Sequence, residues 1–128
     1  MSSAAQPAPD ADRPRVLIVD VDRRVQQSLA DVLQLAGLTV VATAGDVRTA
    51  LEAVERTAPD VIIVDPCLPD VDAGRALLSS LELGWPNVRI VVMGWSEGLE
   101  PSLAERATVI AKNADPDAFV VAAIEACG

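Results

Sequence analysis

Hydrophobic positions along this chain follow two different periods, and the two periods alternate. Short runs of consecutive apolar residues are typical of strands buried on both faces of a parallel sheet. Between them lie stretches in which apolar residues recur every three or four positions, as on one face of a helix. The runs predict strands at Arg15–Val19, Thr39–Ala42, Val61–Val64, Arg89–Met93 and Thr108–Ala111.

The helical stretches carry start and stop signals of their own. Asp46 and Asp115 are N-cap residues for their helices, with Pro116 in the first helical position of the last one, and Gly37 is a C-cap residue. A turn is predicted at 94–98. It precedes the fourth predicted helix, which is short. Helices are predicted at about 23–36, from 46 to before Pro59, at about 72–83 and 101–107, and from 115 onwards.

Five strand–helix units in succession predict the fold class. Right-handed crossovers between them produce an α/β domain, a single doubly wound, five-stranded parallel sheet with helices on both faces. Residues 1–13 are rich in Ala, Pro, Ser and Asp and predict a disordered tail, so the domain is expected over residues 14–128. The final helix is predicted to reach the end of the sequence, so we expect no appended DNA-binding module.

The composition of the chain excludes several classes of function. The 128 residues carry a net charge of -9, which argues against nucleic-acid binding because a phosphate-backbone binder needs a basic face. The absence of His removes the commonest general base and metal ligand. The two Cys residues match no zinc spacing, and we find no signal peptide and no membrane span. We therefore expect a cytoplasmic protein with no membrane or nucleic-acid partner.

Charged residues follow three of the predicted strands. Asp20 and Asp22 follow the first strand, Asp65 the third and Lys112 the fifth. The carboxyl ends of parallel strands share one edge of the sheet, so these side chains can converge there. Clustered carboxylates with a nearby ammonium suit Mg²⁺ and a phosphoryl group. Asp65 could equally be a solvated turn residue or a helix cap. Lys112 could be a solvated lysine at a strand end, and Asp22 could begin the first helix.

The chain resembles a response-regulator receiver domain from about Arg15 to Cys127, which implies the flavodoxin-like receiver fold. The resemblance is to an atypical, chemotaxis-type stand-alone receiver. It implies that Asp65 is the phosphoacceptor and that Lys112 pairs with the phosphoryl group. It also implies an Mg²⁺ site made by Asp20, Asp65 and the Cys67 carbonyl. The segments that carry it are Val16-Leu17-Ile18-Val19-Asp20, Pro59-Asp60-Val61-Ile62-Ile63-Val64-Asp65, Leu68-Pro69-Asp70-Val71-Asp72-Ala73-Gly74 and Lys112.

Several positions depart from the family pattern. Val21 occupies the place of the second acid, the direct Mg²⁺ ligand, so we expect weak metal binding. Gly94 replaces the Ser or Thr that hydrogen-bonds the phosphoryl group, and Val109 replaces the aromatic switch residue. Asn113 replaces the proline that follows the lysine. These losses favour a degenerate domain that signals without phosphate over a phosphorylatable switch.

By this resemblance the partner is a sensor histidine kinase or another signalling protein, and the chain is not an enzyme. The docking surface would be formed by the predicted short helix at 101–107, the fifth strand and the last helix, a face that could also form a homodimer. An alternative of another class is a haloacid-dehalogenase-type phosphohydrolase using Asp20 and Asp22. Against it, Arg23 and Arg24 follow where that motif usually has a small hydroxyl residue, and the chain is short for that fold.

Overall fold

A computed structural model describes residues 14–94, 107–112 and 114–127. Within them, five parallel strands form one sheet in the order β2-β1-β3-β4-β5. The strands are β1 (Arg15–Val19), β2 (Thr39–Ala44), β3 (Val61–Val64), β4 (Arg89–Met93) and β5 (Ala107–Ile110). The helices are α1 (Arg23–Leu35), α2 (Val47–Thr57), α3 (Val71–Gly84) and α4 (Pro116–Cys127). The predicted doubly wound α/β fold is confirmed.

Each face of the sheet buries its own hydrophobic core, because side chains of neighbouring strand residues point to opposite faces. On one face Leu17 and Val19 pack among residues of α2 and α3. On the other face Val16 and Ile18 pack among residues of α1 and α4, with Phe119 as the aromatic member. β3 is buried along its whole length, as its four β-branched residues predict.

Asp residues start the first three helices by accepting backbone hydrogen bonds. Asp22 accepts from Arg24 N at 2.8 Å, and Asp46 accepts from Thr49 N at 2.8 Å. Asp70 accepts from Ala73 N at 2.9 Å, so α3 begins one residue earlier than the predicted start at Asp72. At the start of α4, Asp115 accepts from Asp117 N at 3.0 Å, which agrees with its predicted capping role.

Besides the start of α3, three predicted boundaries were wrong by one or two residues. β2 continues to Ala44, because a bulge opposite Val16 and Leu17 shifts its register and hides the strand period in the sequence. β5 runs from Ala107 to Ile110 rather than from 108 to 111, since it ends level with Met93 of β4. The C-cap of α1 is Ala36, and Gly37 follows it with a φ of 93°, the left-handed conformation that favours glycine.

Some predictions fall on residues that the structure does not describe. These are the tail at 1–13, the turn after Gly94 with Trp95, the short helix from Pro101 and the position of Asn113. Within the described ranges, no helix is long and apolar enough to cross a membrane.

Candidate functional site

The candidate site lies at the carboxyl ends of β1 and β3, the two central strands. The strand order reverses direction between them, since β1 connects outward to β2 while β3 connects to β4 on the other side. In open α/β sheets this switch point is where ligands bind, because the loops after the two strands diverge and leave a crevice. Asp20 directly follows β1 and Asp65 directly follows β3, as predicted.

Asp65 is held rigidly at the end of β3. Its backbone N donates to the Val19 carbonyl at 2.9 Å, which continues the β1–β3 ladder by one residue. Its Oδ1 accepts from the backbone N of Cys67 at 2.9 Å, and its Oδ2 accepts from the Lys112 ammonium. Asp65 is only 5% exposed, so its carboxylate is neither a solvated turn residue nor the cap of α3, which is Asp70.

Asp20 is completely buried, and one of its two carboxylate oxygens has no hydrogen-bond donor. Oδ1 accepts from the backbone N of Asp22 at 2.8 Å. Oδ2 accepts no hydrogen bond from the residues that the structure describes, although Lys112 Nζ lies 3.0 Å away as an ion-pair partner. A buried carboxylate oxygen is costly unless a positive charge or a donor meets it, and here the Lys112 ammonium supplies that charge.

Lys112 brings the two carboxylates together. It reaches the site from beyond the end of β5, separated from the strand by Ala111, and its side chain remains 42% exposed. Burial lowers the pKa of its ammonium, but the hydrogen bond to Asp65 and the negative charges of Asp20 and Asp65 more than offset this, so the pKa is raised overall. Of the four side chains predicted to be able to converge, those of Asp20, Asp65 and Lys112 do so, and that of Asp22 does not.

The side chains of Asp22 and Val21 do not take part in this cluster. The carboxylate of Asp22 is committed to capping α1 through its hydrogen bond with Arg24 N. Val21 is 47% exposed and has no group that could bind a metal. The phosphohydrolase alternative is not supported, since it needs Asp20 and Asp22 in one site.

The other predicted site positions lie around the cluster. Cys67 is fixed beside Asp65 by its backbone N, and its thiol lies 3.2 Å from the Pro69 carbonyl. Gly94 follows β4 with a φ of 123° and donates its N–H to the Ile110 carbonyl at 2.8 Å. Val109 is paired with Val92 in the β4–β5 ladder and is 38% exposed.

Gln26 is a residue of the site that the sequence analysis missed. Its Nε2 donates to the Asp20 carbonyl at 2.6 Å and to the Ala44 carbonyl at 3.2 Å. These contacts tie the ends of β1 and β2 to α1 and fix the backbone that carries Asp20. A signal was present in the sequence, because Gln26 is a polar residue one turn before Leu29 on the buried side of α1.

The residues present offer Mg²⁺ ligands of a suitable kind. Mg²⁺ in proteins is commonly held by one or two carboxylates, with water and phosphate oxygens completing its shell. Asp20, with its donor-free Oδ2, and Asp65 supply two carboxylates at one edge of the sheet. Among the described residues, however, no group of three or more His, Cys, Asp or Glu is arranged to hold a metal.

A family model described as the response regulator receiver domain matches residues 16–122. Among curated proteins, protein-glutamate methylesterase/protein-glutamine glutaminase 5 of Anaeromyxobacter dehalogenans is 36% identical over 99 residues, covering 76% of this chain and 27% of that protein. The protein of the same name from Myxococcus xanthus is 40% identical over 91 residues, covering 70% of this chain and 26% of that protein. The chain thus spans about a quarter of the length of these two relatives.

Solved structures share the fold. The receiver domain of NtrX from Brucella abortus is 25% identical with a TM-score of 0.72, covering 88% of this chain and 97% of that chain. The signal receiver domain of a modulated diguanylate cyclase from Desulfovibrio desulfuricans G20 is 24% identical with a TM-score of 0.73, covering 90% of this chain and 94% of that chain. The second likeness is evidence for the fold alone.

Proposed function

This chain belongs to the response-regulator receiver domain family, and we propose that it is an atypical receiver with Asp65 as phosphoacceptor and a degraded metal and switch site. It acts in signal transduction by docking a partner protein. A carboxylate oxygen of Asp65 would attack the phosphorus of a phosphodonor such as acetyl phosphate. The new O–P bond would make an acyl phosphate as the donor's O–P bond breaks and acetate leaves, and Lys112 would then pair with the phosphoryl oxygens.

One observation carries this proposal. The Lys112 ammonium contacts both the carboxylate that ends β1 and the carboxylate that ends β3, at the switch point of the sheet. A cation already in contact with Asp65 can stabilise the extra negative charge that a phosphoryl group brings. Asp65 Oδ1 also accepts from the backbone N of Cys67, which fixes the orientation of the carboxylate.

The same site supports only weak metal binding. When bound, Mg²⁺ would neutralise charge on the phosphoryl oxygens, and Asp20, Asp65 and the Cys67 carbonyl would hold it. Val21 supplies no third carboxylate, and Asp22 is committed to its cap. The charge of Lys112 therefore provides most of the neutralisation available to the acid pair.

The switch positions support a response that does not depend on phosphate. Gly94 has no side chain with which to hydrogen-bond a phosphoryl group, and Val109 is too small to replace an aromatic ring. We therefore favour a domain whose docking surface exists without phosphorylation. We propose that this surface includes β5 and α4 and that its partner is a sensor histidine kinase, another signalling protein or a second copy of this chain.

The curated relatives bear the name of a methylesterase and glutaminase, but an activity of that kind is not proposed for this chain. The shared region is only about a quarter of their length. The residues gathered at the switch point are two carboxylates and an ammonium, with no nucleophile–base pair among the described side chains of the cluster. We propose that the chain has no enzymatic turnover of its own.

The proposal that Asp65 is the phosphoacceptor is tested by chemical labelling with acetyl phosphate and Mg²⁺, followed by mass spectrometry of the intact protein. We expect slow addition of one phosphoryl group, faster addition in Val21→Asp, and none in Asp65→Asn. Asp22→Asn is the matched control and should label like the unmodified chain. Labelling that persists in Asp65→Asn, or that is absent even in Val21→Asp, would refute the assignment.

A further inference from the structure

A cavity of about 230 Å³ lies between α1 and the start of α4, on the face of the sheet that carries Phe119. Most of its lining is apolar. Val25 and Leu29 line it from two successive turns of α1, and Pro116 and Phe119 line it from the first residues of α4. Leu29 and Phe119 are almost fully buried, so the floor of the cavity belongs to the packed core of the domain.

The charged residues that line this cavity, Arg24 and Lys112, are both cationic, although the chain carries a net charge of -9. Lys112 is already engaged, because its ammonium contacts the carboxylates of Asp20 and Asp65. Arg24 is exposed, and among the residues that the structure describes its guanidinium has no hydrogen-bond or ion-pair partner. The guanidinium of Arg24 is therefore available to an anion.

The charge and the size of the cavity indicate which anion fits. A guanidinium forms two parallel hydrogen bonds with a carboxylate, and its single charge balances one negative charge. A phosphate dianion would keep an unbalanced charge near the Asp20–Asp65 pair, which retains one net negative charge after its contact with Lys112. The apolar lining requires a hydrocarbon body, and 230 Å³ is less than the roughly 300–1,000 Å³ of a site for a drug-sized ligand.

We propose that this cavity binds a small monocarboxylate with an apolar aliphatic or aromatic body. Its carboxylate pairs with Arg24, and its body packs on Leu29 and Phe119. Ser28, one turn after Arg24 on α1, adds a hydroxyl to the lining. The bound molecule joins α1 to α4, the helix that we place on the docking surface, so its binding is an input that needs no phosphoryl group. That consequence rests on the proposed function, whereas the binding itself does not.

The test is titration of the full chain with phenylacetate at constant ionic strength, observed by amide chemical shifts. Saturable shifts are expected at Val25, Leu29, Ala114 and Phe119. Phenylacetamide has the same shape without the charge, and acetate has the charge without the apolar body, so each should bind at least about tenfold more weakly. Phenyl phosphate should also bind more weakly than phenylacetate. Equal affinity for phenylacetamide or phenyl phosphate, or no saturable shift at these residues, would overturn the inference.

A pair of adjacent arginines provides the matched variants. Arg24→Met should weaken phenylacetate binding by about tenfold or more, because the ligand loses its charge-assisted hydrogen bonds. Arg23→Met is the control, since Arg23 is also exposed on α1 but lines a different cavity, and it should leave the affinity unchanged within twofold. Equal losses in both variants, or unchanged affinity in Arg24→Met, would contradict the proposed site. The titration uses no phosphodonor, so failure here is distinguishable from failure of Asp65 labelling.

Discussion

Gly74 of α3 lies directly against the carbonyl of Pro66. A Cβ atom added to Gly74 would lie 1.5 Å from the Pro66 oxygen, far inside the van der Waals distance. This contact allows α3 to pack over the loop that follows Asp65. Glycine in the first turns of α3 is thus required by the position of the loop that orients the Asp65 carboxylate through Cys67 N.

Gly74→Ala should destabilise the domain by about 3 kcal/mol, because the obstructing atoms are backbone and cannot rotate away. Urea unfolding followed by far-UV circular dichroism measures this. Gly84→Ala is the control in the same helix, because a Cβ there would have no atom within 4 Å. Alanine at that position should be neutral or slightly stabilising. Equal stability of the two variants would show that Gly74 is not held against the Pro66 carbonyl.

Lys112→Met should lower stability at neutral pH by roughly 1–3 kcal/mol, since the Asp20 and Asp65 carboxylates lose their cation while Lys112 itself is partly exposed. The pKa of Lys112 is raised in the fold above its ordinary value of 10.5. Its contribution is therefore fully present below pH 10.5 and is lost as the pH rises through the folded-state pKa.

The measurement for Lys112 is chemical unfolding of both proteins between neutral and strongly alkaline pH. The difference in unfolding free energy should remain constant up to the ordinary lysine pKa and should shrink above it. A difference that grows with pH, or one that is already absent at neutral pH, would show that the ion pairs do not stabilise the fold.

Gln26→Leu should destabilise the domain by about 1–2 kcal/mol, because two carbonyls near the sheet edge lose their shared donor. The variant should also broaden or shift the amide signals of Asp20 and Val21, whose backbone Gln26 holds. Gln27→Leu is the matched control, because Gln27 is exposed and its side chain donates to Asp31 in the next turn of the same helix. We expect little change in that control, and equal losses in both variants would contradict the role of Gln26.

Val21→Asp should tighten Mg²⁺ binding from roughly millimolar or weaker by at least about tenfold, because it supplies a third carboxylate next to Asp20. Isothermal titration with Mg²⁺ at constant ionic strength measures the effect. Val21→Asn changes size and polarity without adding charge and is the control. Submillimolar affinity in the unmodified chain would show that two carboxylates suffice here.

Most of the signals that locate the site are present in the sequence. Uninterrupted apolar strands that end in Asp20 and Asp65 predict both the parallel sheet and the edge at which the carboxylates meet. The end of β2 was missed because its prediction relied on the strand period, and the bulge opposite Val16 and Leu17 breaks that period. The contacts of Gln26 and Gly74 depend on tertiary packing, which no local pattern encodes.

The proposed loss of switching follows from the size of the energies involved. Shifting the populations of a domain's two conformations from 1:99 to 99:1 needs about 5.5 kcal/mol of differential binding. A hydrogen bond to a charged group supplies roughly 1.5–3 kcal/mol, and Gly94 has no hydroxyl with which to make it. Val109 is paired in the edge strand β5 and is too small to fill the space that an aromatic ring would occupy.

The most direct test of this account is the amide chemical-shift response to beryllofluoride at saturating Mg²⁺. In the unmodified chain the shifts should stay near Asp65 and Lys112 and should change little at Gly94, at Val109 and along α4. The triple variant Val21→Asp, Gly94→Thr, Val109→Tyr should show a larger and wider response. A strong response that spreads across α4 in the unmodified chain would contradict the account.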